Sequence, residues 1–314
     1  MPDPLIRPLR EADLEEADRV MRVAFGTFLG LPDPQAFLGD AGYVRGRWRA
    51  APEAAFVAEQ GGEVVGSNFA TRWGSFAFFG PLSVRPDLWD QGIARRLLDP
   101  IMGLFSEWGV RQAGLFTFPQ SPKHLGLYQR YGFWPRALTP ILFRALDRPP
   151  APSAWTPLSK LSGDERAGAL RACSDLTAGV FEGLDVSPEL RAIDAQKLGD
   201  SVLLHGDSGL SAFAACHLGP GTEAGGGNCY VKFAAVRPGP RAPAHFDRLL
   251  DACEDLAIAR GLSVLTAGVN TARAEAYQRL LARGYRIGFT GVALHRPAEP
   301  AFSRPGVYVL DDWR

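Results

Sequence analysis

The sequence predicts two tandem units of α/β structure, each a mixed and mostly antiparallel β-sheet flanked by helices. Two observations lead to this prediction: short segments recur at a constant spacing of 152 residues, and both halves show the same order of strand-like and helix-like stretches. The length of 314 residues is enough for two domains. An apolar content of 46% is enough to bury a core in each of them.

The repeated segments occur in the same order in both halves. One match would be chance, but several at one spacing indicate two copies of one fold. The pairs are Val84–Pro86 with Val236–Pro238, Arg96–Asp99 with Arg248–Asp251, Gly109 with Gly261, and Gly132–Phe133 with Gly284–Tyr285.

Each unit is predicted to contain a helix, a hairpin, a strand ending in Val-Arg-Pro, a helix, a buried strand, a second helix and a final strand that closes the unit. We expect a first domain at residues 1–146, a proline-rich linker at 147–158 and a second domain at 159–314. The glycine-rich stretch 219–228 is expected to be a flexible loop.

Composition excludes several classes of protein. Lysine plus arginine equals aspartate plus glutamate, at 34 each, which argues against a nucleic-acid partner. No apolar run has the length of a signal-peptide core or a membrane span, so we expect a cytoplasmic protein without a membrane partner. The four cysteines form no CxxC pair, so we expect buried thiols and no metal site.

The stretch Arg85–Asp99, RPDLWDQGIARRLLD, joins an extended run to a helical run through Gly92. A helix start leaves backbone N–H groups without partners and carries the positive end of the helix dipole. Gly92 lets a ligand approach this backbone because it has no Cβ. The stretch therefore predicts an anion site, of the kind that binds phosphate.

Three stretches of the first unit together resemble the GCN5-related N-acetyltransferases (GNAT), which transfer an acyl group from acetyl-CoA to an amine. IRPLREADLEEADRVMRVAF is similar to the family's first strand and helix, LSVRPDLWDQGIARRLL to its pyrophosphate loop, and SPKHLGLYQRYGF to its closing helix. The resemblance extends to the second unit because that unit repeats the first. The resemblance implies two tandem GNAT-type domains, acetyl-CoA as co-substrate and no metal.

The resemblance also implies which residues bind and act. Backbone groups of Leu82, Ser83 and Val84 would pair with the pantetheine arm, and Tyr128 would protonate the leaving thiolate. Arg85 or Lys123 could reach the 3′-phosphate. The predicted acetyl-CoA-binding residues are Leu82, Ser83, Val84, Gln91, Gly92, Ile93, Ala94, Arg95, Arg96 and Ser121, with a solvated helix face as the alternative for Arg96.

The group that takes the proton of the amine is left open. The strand SFAFFGPLSV has no carboxylate, although the family often has a glutamate there. His124, one helical turn before Tyr128, and a chain of water molecules are the candidates. An interfacial or exposed histidine without a catalytic role is the alternative for His124.

The pyrophosphate loop departs from the family at two positions. Trp89 and Asp90 stand where an arginine or glutamine and a glycine are usual. Asp90 either points away from the phosphates or caps the helix start. Pro100 is expected to kink the helix.

The second unit keeps the pattern of apolar residues and loses the reactive groups. Pro243, Ala244, Phe246 and Asp247 stand at the positions of Gln91, Gly92, Ala94 and Arg95, and Leu280 stands at that of Tyr128. The roles open to this unit are to cover the first unit's sheet edge, to shape the acceptor cleft or to hold a homodimer together.

The predicted activity is acetyl-CoA-dependent N-acetyl transfer to a primary amine of a small molecule, through a ternary complex. A protein N-terminus or lysine is the other acceptor, and a non-catalytic CoA-binding or interaction protein is the alternative function. Aromatic residues favour an apolar or aromatic amine, some lining the cleft and the others in the core: Trp73, Phe76, Phe78, Phe79, Phe116, Phe118 and Trp134.

Overall fold

The computed structural model of the chain describes residues 3–146, 154–207 and 209–314. In this part of the chain, fourteen strands join in one β-sheet with α-helices packed against it. The strands are β1 (Leu5–Pro8), β2 (Ala55–Gln60), β3 (Glu63–Trp73), β4 (Phe76–Phe79), β5 (Ser83–Val84), β6 (Gln112–Thr117), β7 (Trp134–Ala145), β8 (Thr156–Pro157), β9 (Gly199–Gly206), β10 (Gly209–Gly219), β11 (Gly225–Val236), β12 (Val264–Gly268), β13 (Arg286–Arg296) and β14 (Val309–Leu310). The helices are α1 (Leu14–Phe28), α2 (Val44–Ala50), α3 (Ile93–Glu107), α4 (Pro122–Gln129), α5 (Gly163–Val180), α6 (Ser187–Gln196), α7 (Ala242–Ala259) and α8 (Ala274–Ala282).

The repeat seen in the sequence is also a structural repeat. β6, α4 and β7 begin 152 residues before β12, α8 and β13. Gly132 and Gly284, which end the second helix of each copy, both have positive φ, at 80° and 85°. The predicted fold class, two tandem copies of a mixed and mostly antiparallel α/β fold, is therefore confirmed.

Helix α3 shows how the apolar pattern places a helix on the sheet. Its buried residues recur every three or four positions and face β2 and β3, and the helix continues through Pro100, which removes one N–H donor without ending it. The buried residues are Ile93, Leu97, Leu98, Ile101 and Phe105.

The final strand of each half lies in the sheet of the other half. β13 lies between β6 and β7, and β7 lies between β13 and β12. β13 pairs antiparallel with β6, from Val292 opposite Thr117 to Arg296 opposite Ala113. The prediction that a final strand closes each unit is therefore wrong in one respect, because each strand closes the other half and not its own. An apolar pattern specifies a strand and the face that it buries, but it does not choose between two equivalent edges.

The exchange bears on the predicted boundaries. The division into residues 1–146 and 159–314 remains a prediction along the chain, because the exchanged strands join both halves in one sheet. Of the predicted linker 147–158, residues 147–153 lie outside the described residues. Thr156–Pro157 forms β8 and pairs with β9, so this end of the linker belongs to the sheet of the second half.

The glycine-rich stretch 219–228 is not a free loop, contrary to the prediction. It forms the turn between β10 and β11 and the first residues of β11. This turn is fastened to the first half: Gly226 N donates to Asp40 Oδ1 at 2.7 Å, Gly221 N donates to Asp40 O at 2.8 Å, and Gly42 N donates to Thr222 O at 2.9 Å.

The cysteines Cys173, Cys216, Cys229 and Cys253 are buried and free, as expected. Among the described residues, no group of three or more His, Cys, Asp or Glu side chains could hold a metal ion. None of the helices described is long and apolar enough to cross a membrane.

A buried ion cluster connects the two halves. Glu223, from the turn between β10 and β11, accepts from Arg47 Nε of α2 at 2.8 Å and from Lys232 Nζ at 2.5 Å. Burial alone would raise the pKa of Glu223, but the charges of Arg47 and Lys232 outweigh it and hold that pKa well below its usual range. Glu223 is therefore ionised and balances two buried cations.

Replacing this carboxylate should destabilise the protein strongly. Glu223→Gln removes the carboxylate that bridges Arg47 and Lys232 and leaves only the more weakly coupled Glu189 to act on Lys232, which should lower the free energy of unfolding by about 3–5 kcal/mol. Urea-induced unfolding at neutral pH measures it. Glu182→Gln is the matched control, because Glu182 also pairs across the halves, with Arg111, but is 86% exposed. Its expected loss is below about 1 kcal/mol. Equal losses for both variants would contradict this account of the cluster.

Candidate functional site

A cavity of about 820 Å³ opens in the first half between the starts of α3 and α4, with β5 and the end of α1 as its other walls. Most of the predicted site residues meet there. Leu82, Ser83, Val84, Gly92, Ile93, Ala94, Arg95, Ser121, His124 and Tyr128 line the cavity. Gln91 and Arg96 do not line it; the Arg96 guanidinium lies 3.7 Å from Asp3.

The cavity exists because the strand that precedes α3 leaves its neighbour. β4 pairs in parallel with β6 from Phe76 to Phe78. Gly80 N then donates to the Phe69 carbonyl of β3 at 2.8 Å, and β5 pairs with β3. A gap therefore opens between β5 and the end of β6.

The backbone of β5 directs donors into this gap. Arg85 N donates to Val65 O of β3 at 2.8 Å. Because N–H groups alternate in direction along a strand, those of Leu82 and Val84 point away from β3 and into the cavity, whereas that of Ser83 points toward β3. The indole Nε1 of Trp89 donates to Val84 O at 2.7 Å and so occupies the neighbouring acceptor.

The start of α3 forms the second part of the site. Gly92 precedes the helix at φ 78°, a conformation that favours glycine, and a Cβ there would meet no atom within 4 Å. Within the described chain, no side chain caps this helix, so the N–H groups of its first turn are available. Tyr131 fixes this turn, because its hydroxyl donates to Asp99 Oδ1 at 2.7 Å and contacts Arg95 O at 2.9 Å.

The ionic groups around the loop differ from the predictions. Asp90 does not cap α3; it has φ 66° and lies 2.5 Å from Lys123 Nζ. Lys123 also lies over the Trp89 ring, 5.7 Å from its centroid. Arg85 pairs with Glu63 at 2.9 Å and is not a lining residue. Of the two predicted ligands of a 3′-phosphate, Lys123 therefore borders the cavity and Arg85 does not.

Tyr128 lies on α4 with its ring against Phe79 and its hydroxyl hydrogen-bonded to the side chain of Thr117. Burial raises the pKa of Tyr128 far above its usual value, and the hydrogen bond to Thr117 offsets only part of this. The phenol is therefore protonated at neutral pH. The helix that carries it begins at Ser121, whose Oγ accepts from His124 N at 3.3 Å.

His124 lines the same cavity, one turn before Tyr128. Its Nδ1 is buried without a hydrogen-bond partner among the described residues. Burial lowers the pKa of His124, and the charge of Lys123 lowers it further. The imidazole is therefore neutral at pH 7, and its ring packs against Phe28 and Phe118, with centroids 4.9 and 6.2 Å apart.

The aromatic residues divide between cavity and core. Phe118, which the sequence singled out, lines the cavity, together with Phe25 and Phe28 of α1, which the sequence did not. Phe28 and Met21 share a face of α1, but helical spacing cannot say what that face meets. Trp73, Phe76, Phe78 and Phe79 are buried in the core, Phe116 packs partly buried against the core, and Trp134 is exposed.

The second half lacks equivalent groups. Phe246, at the position of Ala94, is fully buried and packs against Tyr308 with ring centroids 5.3 Å apart. Asp247, at the position of Arg95, lies 2.5 Å from Arg279. Leu280, at the position of Tyr128, is buried in the core.

The chain itself fills the corresponding gap of the second half. β14 pairs with β11, with Leu310 opposite Ala234, and Val236 N donates to Tyr308 O at 3.1 Å. Ala234 and Val236 are the repeat equivalents of Leu82 and Val84, whose N–H groups point into the cavity of the first half. The residues around β14 therefore take up the backbone donors that the first half leaves open.

Comparison with known proteins bears on both halves. Residues 22–133 match the family model described as the Acetyltransferase (GNAT) family. A tandem GNAT protein from the clavulanic acid biosynthesis pathway has a TM-score of 0.57 at 16% identity, covering 95% of this chain and 99% of that chain. Part of the first half of this chain therefore matches the GNAT family, and the chain as a whole has the fold of a tandem GNAT protein.

Other solved structures share the fold of this chain. A Pyrococcus horikoshii protein provisionally assigned as an acetyltransferase has a TM-score of 0.67 at 13% identity, covering 98% of this chain and 94% of that chain. A GCN5-related N-acetyltransferase from Sphaerobacter thermophilus has a TM-score of 0.59 at 16% identity, covering 93% and 95%. No curated protein sequence matches the chain significantly. The GNAT family supports acyl transfer as the general activity and acetyl-CoA as its usual donor.

Acetyl-CoA binding tests the start of α3. Gly92→Glu places an anion at the start of α3, the predicted pyrophosphate site, and like-charge repulsion should weaken binding by about a hundredfold or more. Gly92→Ala is the matched control, because it meets the same positive φ without adding charge. Isothermal titration should show strong loss for glutamate and a much smaller loss for alanine. Equal losses would show that backbone conformation, not charge, decides the affinity.

Proposed function

We propose that this protein is an acetyl-CoA-dependent N-acetyltransferase that acts on a primary amine of a small molecule. One observation carries the proposal: a single cavity brings together the open start of α3, the N–H groups of β5 and the buried phenol of Tyr128. These are a phosphate site, a partner for an extended amide chain and a proton donor. The second half, whose gap is filled by β14, has a structural role.

Acetyl-CoA, the acyl donor, would lie along the cavity from the start of α3 toward Tyr128. The N–H groups around Gly92–Arg95 would bind the pyrophosphate, with Arg95 and Lys123 as nearby cations. The N–H groups of Leu82 and Val84 would bind amides of the pantetheine arm. The thioester then reaches the side of the cavity where Tyr128 and His124 lie.

Reaction within a ternary complex follows from this placement. The amine nitrogen attacks the carbonyl carbon, a C–N bond forms, and the C–S bond breaks with its electron pair passing to sulfur. Tyr128 donates its hydroxyl proton toward that sulfur. Because a free thiol has a pKa of about 8.5, below that of a phenol, Tyr128 helps mainly as a hydrogen-bond donor in the transition state.

The amine must lose a proton before or during attack. His124 is a candidate acceptor because its Nδ1 is free and its lowered pKa keeps it neutral. A chain of water molecules is the other candidate. The cavity lining supplies no unpaired carboxylate within the described residues, since Asp90 pairs with Lys123.

A second candidate function is a non-catalytic CoA-binding protein. The position of Asp90 in the phosphate loop favours it, because an anion there weakens phosphate binding. Its ion pair with Lys123 reduces that effect, and Tyr128 has no evident role in binding alone. A release assay for free CoA thiol across a panel of amines separates the two functions.

Tyr128→Phe tests the proton donor. It removes the hydroxyl and almost no volume, so the affinity for acetyl-CoA should stay close to that of the wild type. The turnover rate should fall by about 10²–10³-fold, the effect of losing a positioned acid. Presteady-state measurement of thiol release checks it, and a variant with full turnover would refute the assignment. Tyr277→Phe is a control, because Tyr277 lies on α8 of the second half and does not line the cavity.

His124→Gln tests the base through the pH profile. With His124 as base, turnover falls as the pH drops through its pKa, which burial places below the ordinary value of about 6.5. The variant should lose this acid limb along with most of the rate. If the limb persists at full rate in His124→Gln, the water chain is the base.

A further inference from the structure

An aromatic cluster adjoins the cavity, defined as Phe25, Phe28, Phe37, Phe118 and Phe289. Phe25, Phe28 and Phe118 line the cavity, and Phe37 and Phe289 extend the cluster beyond it. Phe118 lies at its centre, with ring centroids 4.7 Å from Phe28, 6.2 Å from Phe25 and 5.6 Å from Phe289. Phe37 stacks on Phe25 at 5.5 Å. The five rings form one continuous apolar surface.

Phe289 comes from the second half through the strand exchange. It lies on β13, opposite Ile141 of β7, and its ring also contacts Phe116 at 5.9 Å. Phe289 is 38% exposed, whereas Phe118 at the centre is 8% exposed. The aromatic cluster is therefore closed at its centre and open to solvent at Phe289.

The second half also holds the loop that carries Phe37. Arg22 Nη1 donates to Phe37 O at 2.7 Å, which anchors the loop to α1. Three residues later, Asp40 accepts from Gly226 N of the second half. Phe289 and the loop that carries Phe37 thus both depend on the second half of the chain.

The aromatic cluster meets the proposed reaction site at His124. The imidazole ring lies 4.9 Å from the Phe28 ring and 6.2 Å from the Phe118 ring, measured between centroids. Phe28, Phe118, His124 and Tyr128 line the same cavity. An amine that packs on these rings would therefore lie beside the candidate proton acceptor.

The charges near the aromatic cluster exclude a polycationic acceptor. Asp90 is the one carboxylate among the cavity-lining residues, all of which the structure describes, and it pairs with Lys123 at the phosphate end. A second positive charge on the acceptor would find no counter-charge beside the rings. An apolar ring would be stabilised there by burial and by edge or stacking contacts.

We propose that the acceptor is a primary amine with an aromatic or similarly sized apolar group, which packs on the aromatic cluster, and that Phe289 determines this selectivity. The inference rests on the proposed N-acetyltransferase function. The amine, and not a long acyl chain of the donor, is the occupant, because the cluster opens to solvent at Phe289. An acceptor can enter and leave there while the donor remains bound.

The experiment compares 2-phenylethylamine with ethylamine, which lacks the ring. In the wild type, kcat/KM should be clearly higher for 2-phenylethylamine. Phe289→Ala should lower kcat/KM about tenfold for 2-phenylethylamine, mostly through KM, and less than about twofold for ethylamine. Phe289→Tyr, which keeps the ring, should retain the preference. Acetyl-CoA affinity should be unchanged in both variants.

Phe143→Ala is the matched control. Phe143 is an exposed phenylalanine on the neighbouring strand β7, at 40% exposure, and is not a member of the aromatic cluster. Phe143→Ala should leave kcat/KM for both amines unchanged. A Phe289→Ala enzyme that handles the two amines in the wild-type ratio would overturn the proposal. The proposal would also be overturned if Phe289→Ala changed the preference between acetyl-CoA and octanoyl-CoA but left the kcat/KM ratio of the two amines unchanged. The acyl chain of the donor would then be the group that packs on the aromatic cluster.

Titration of 2-phenylethylamine into protein saturated with CoA separates this inference from the proposed function. Binding that weakens about tenfold in Phe289→Ala supports the aromatic site even if no amine is acetylated, and the proposed function would then fail alone. Turnover of ethylamine without any binding preference for the aromatic amine would support the function and overturn the inference.

Discussion

The antiparallel pairing of β13 with β6 and β7 is the constraint on which the rest of the structure depends. Neither half has a complete sheet without the final strand of the other, because the backbone groups of β6 find their partners on a strand encoded near the other end of the chain. The halves therefore share one hydrogen-bonded sheet. Phe289 can contribute to a site in the first half because β13 is a strand of that half's sheet.

The two copies show how one fold gives an open site and a closed one. In both, the strand before the long helix moves away from its neighbour and leaves backbone N–H groups unpaired. An unpaired buried N–H costs free energy, so each gap needs a partner. The second half supplies it from β14 and the adjacent Tyr308, whereas Leu82 and Val84 of the first half line an open cavity. The same residues continue to Trp313, which packs on Phe76 of the first half at 4.8 Å.

Local chemistry was predictable from the sequence, and pairing between distant segments was not. The helix start at Gly92 and the closing helix with Ser121 and Tyr128 depend on short-range sequence patterns. The repeat depends on such patterns recurring at a spacing of 152 residues. The strand exchange, the filling of the second gap and the docking of 219–228 depend on which of several equivalent edges a segment meets. Glycine content predicts backbone freedom, but Asp40 supplies the acceptors that fix this particular turn.

The position of the gap is itself held by the second half. Arg47 donates one guanidinium N–H to Gly80 O, where the chain leaves β4, and another to Glu223. The Gly80 carbonyl is thus bound by Arg47, which belongs to the buried ion cluster. Among the described residues, the carboxylate that pairs with Arg47 is Glu223, from the other half. A shift between the halves would move Gly80, and with it Leu82 and Val84, relative to Tyr128 on α4. Retaining a second copy without its own phosphate loop therefore preserves the geometry of the first.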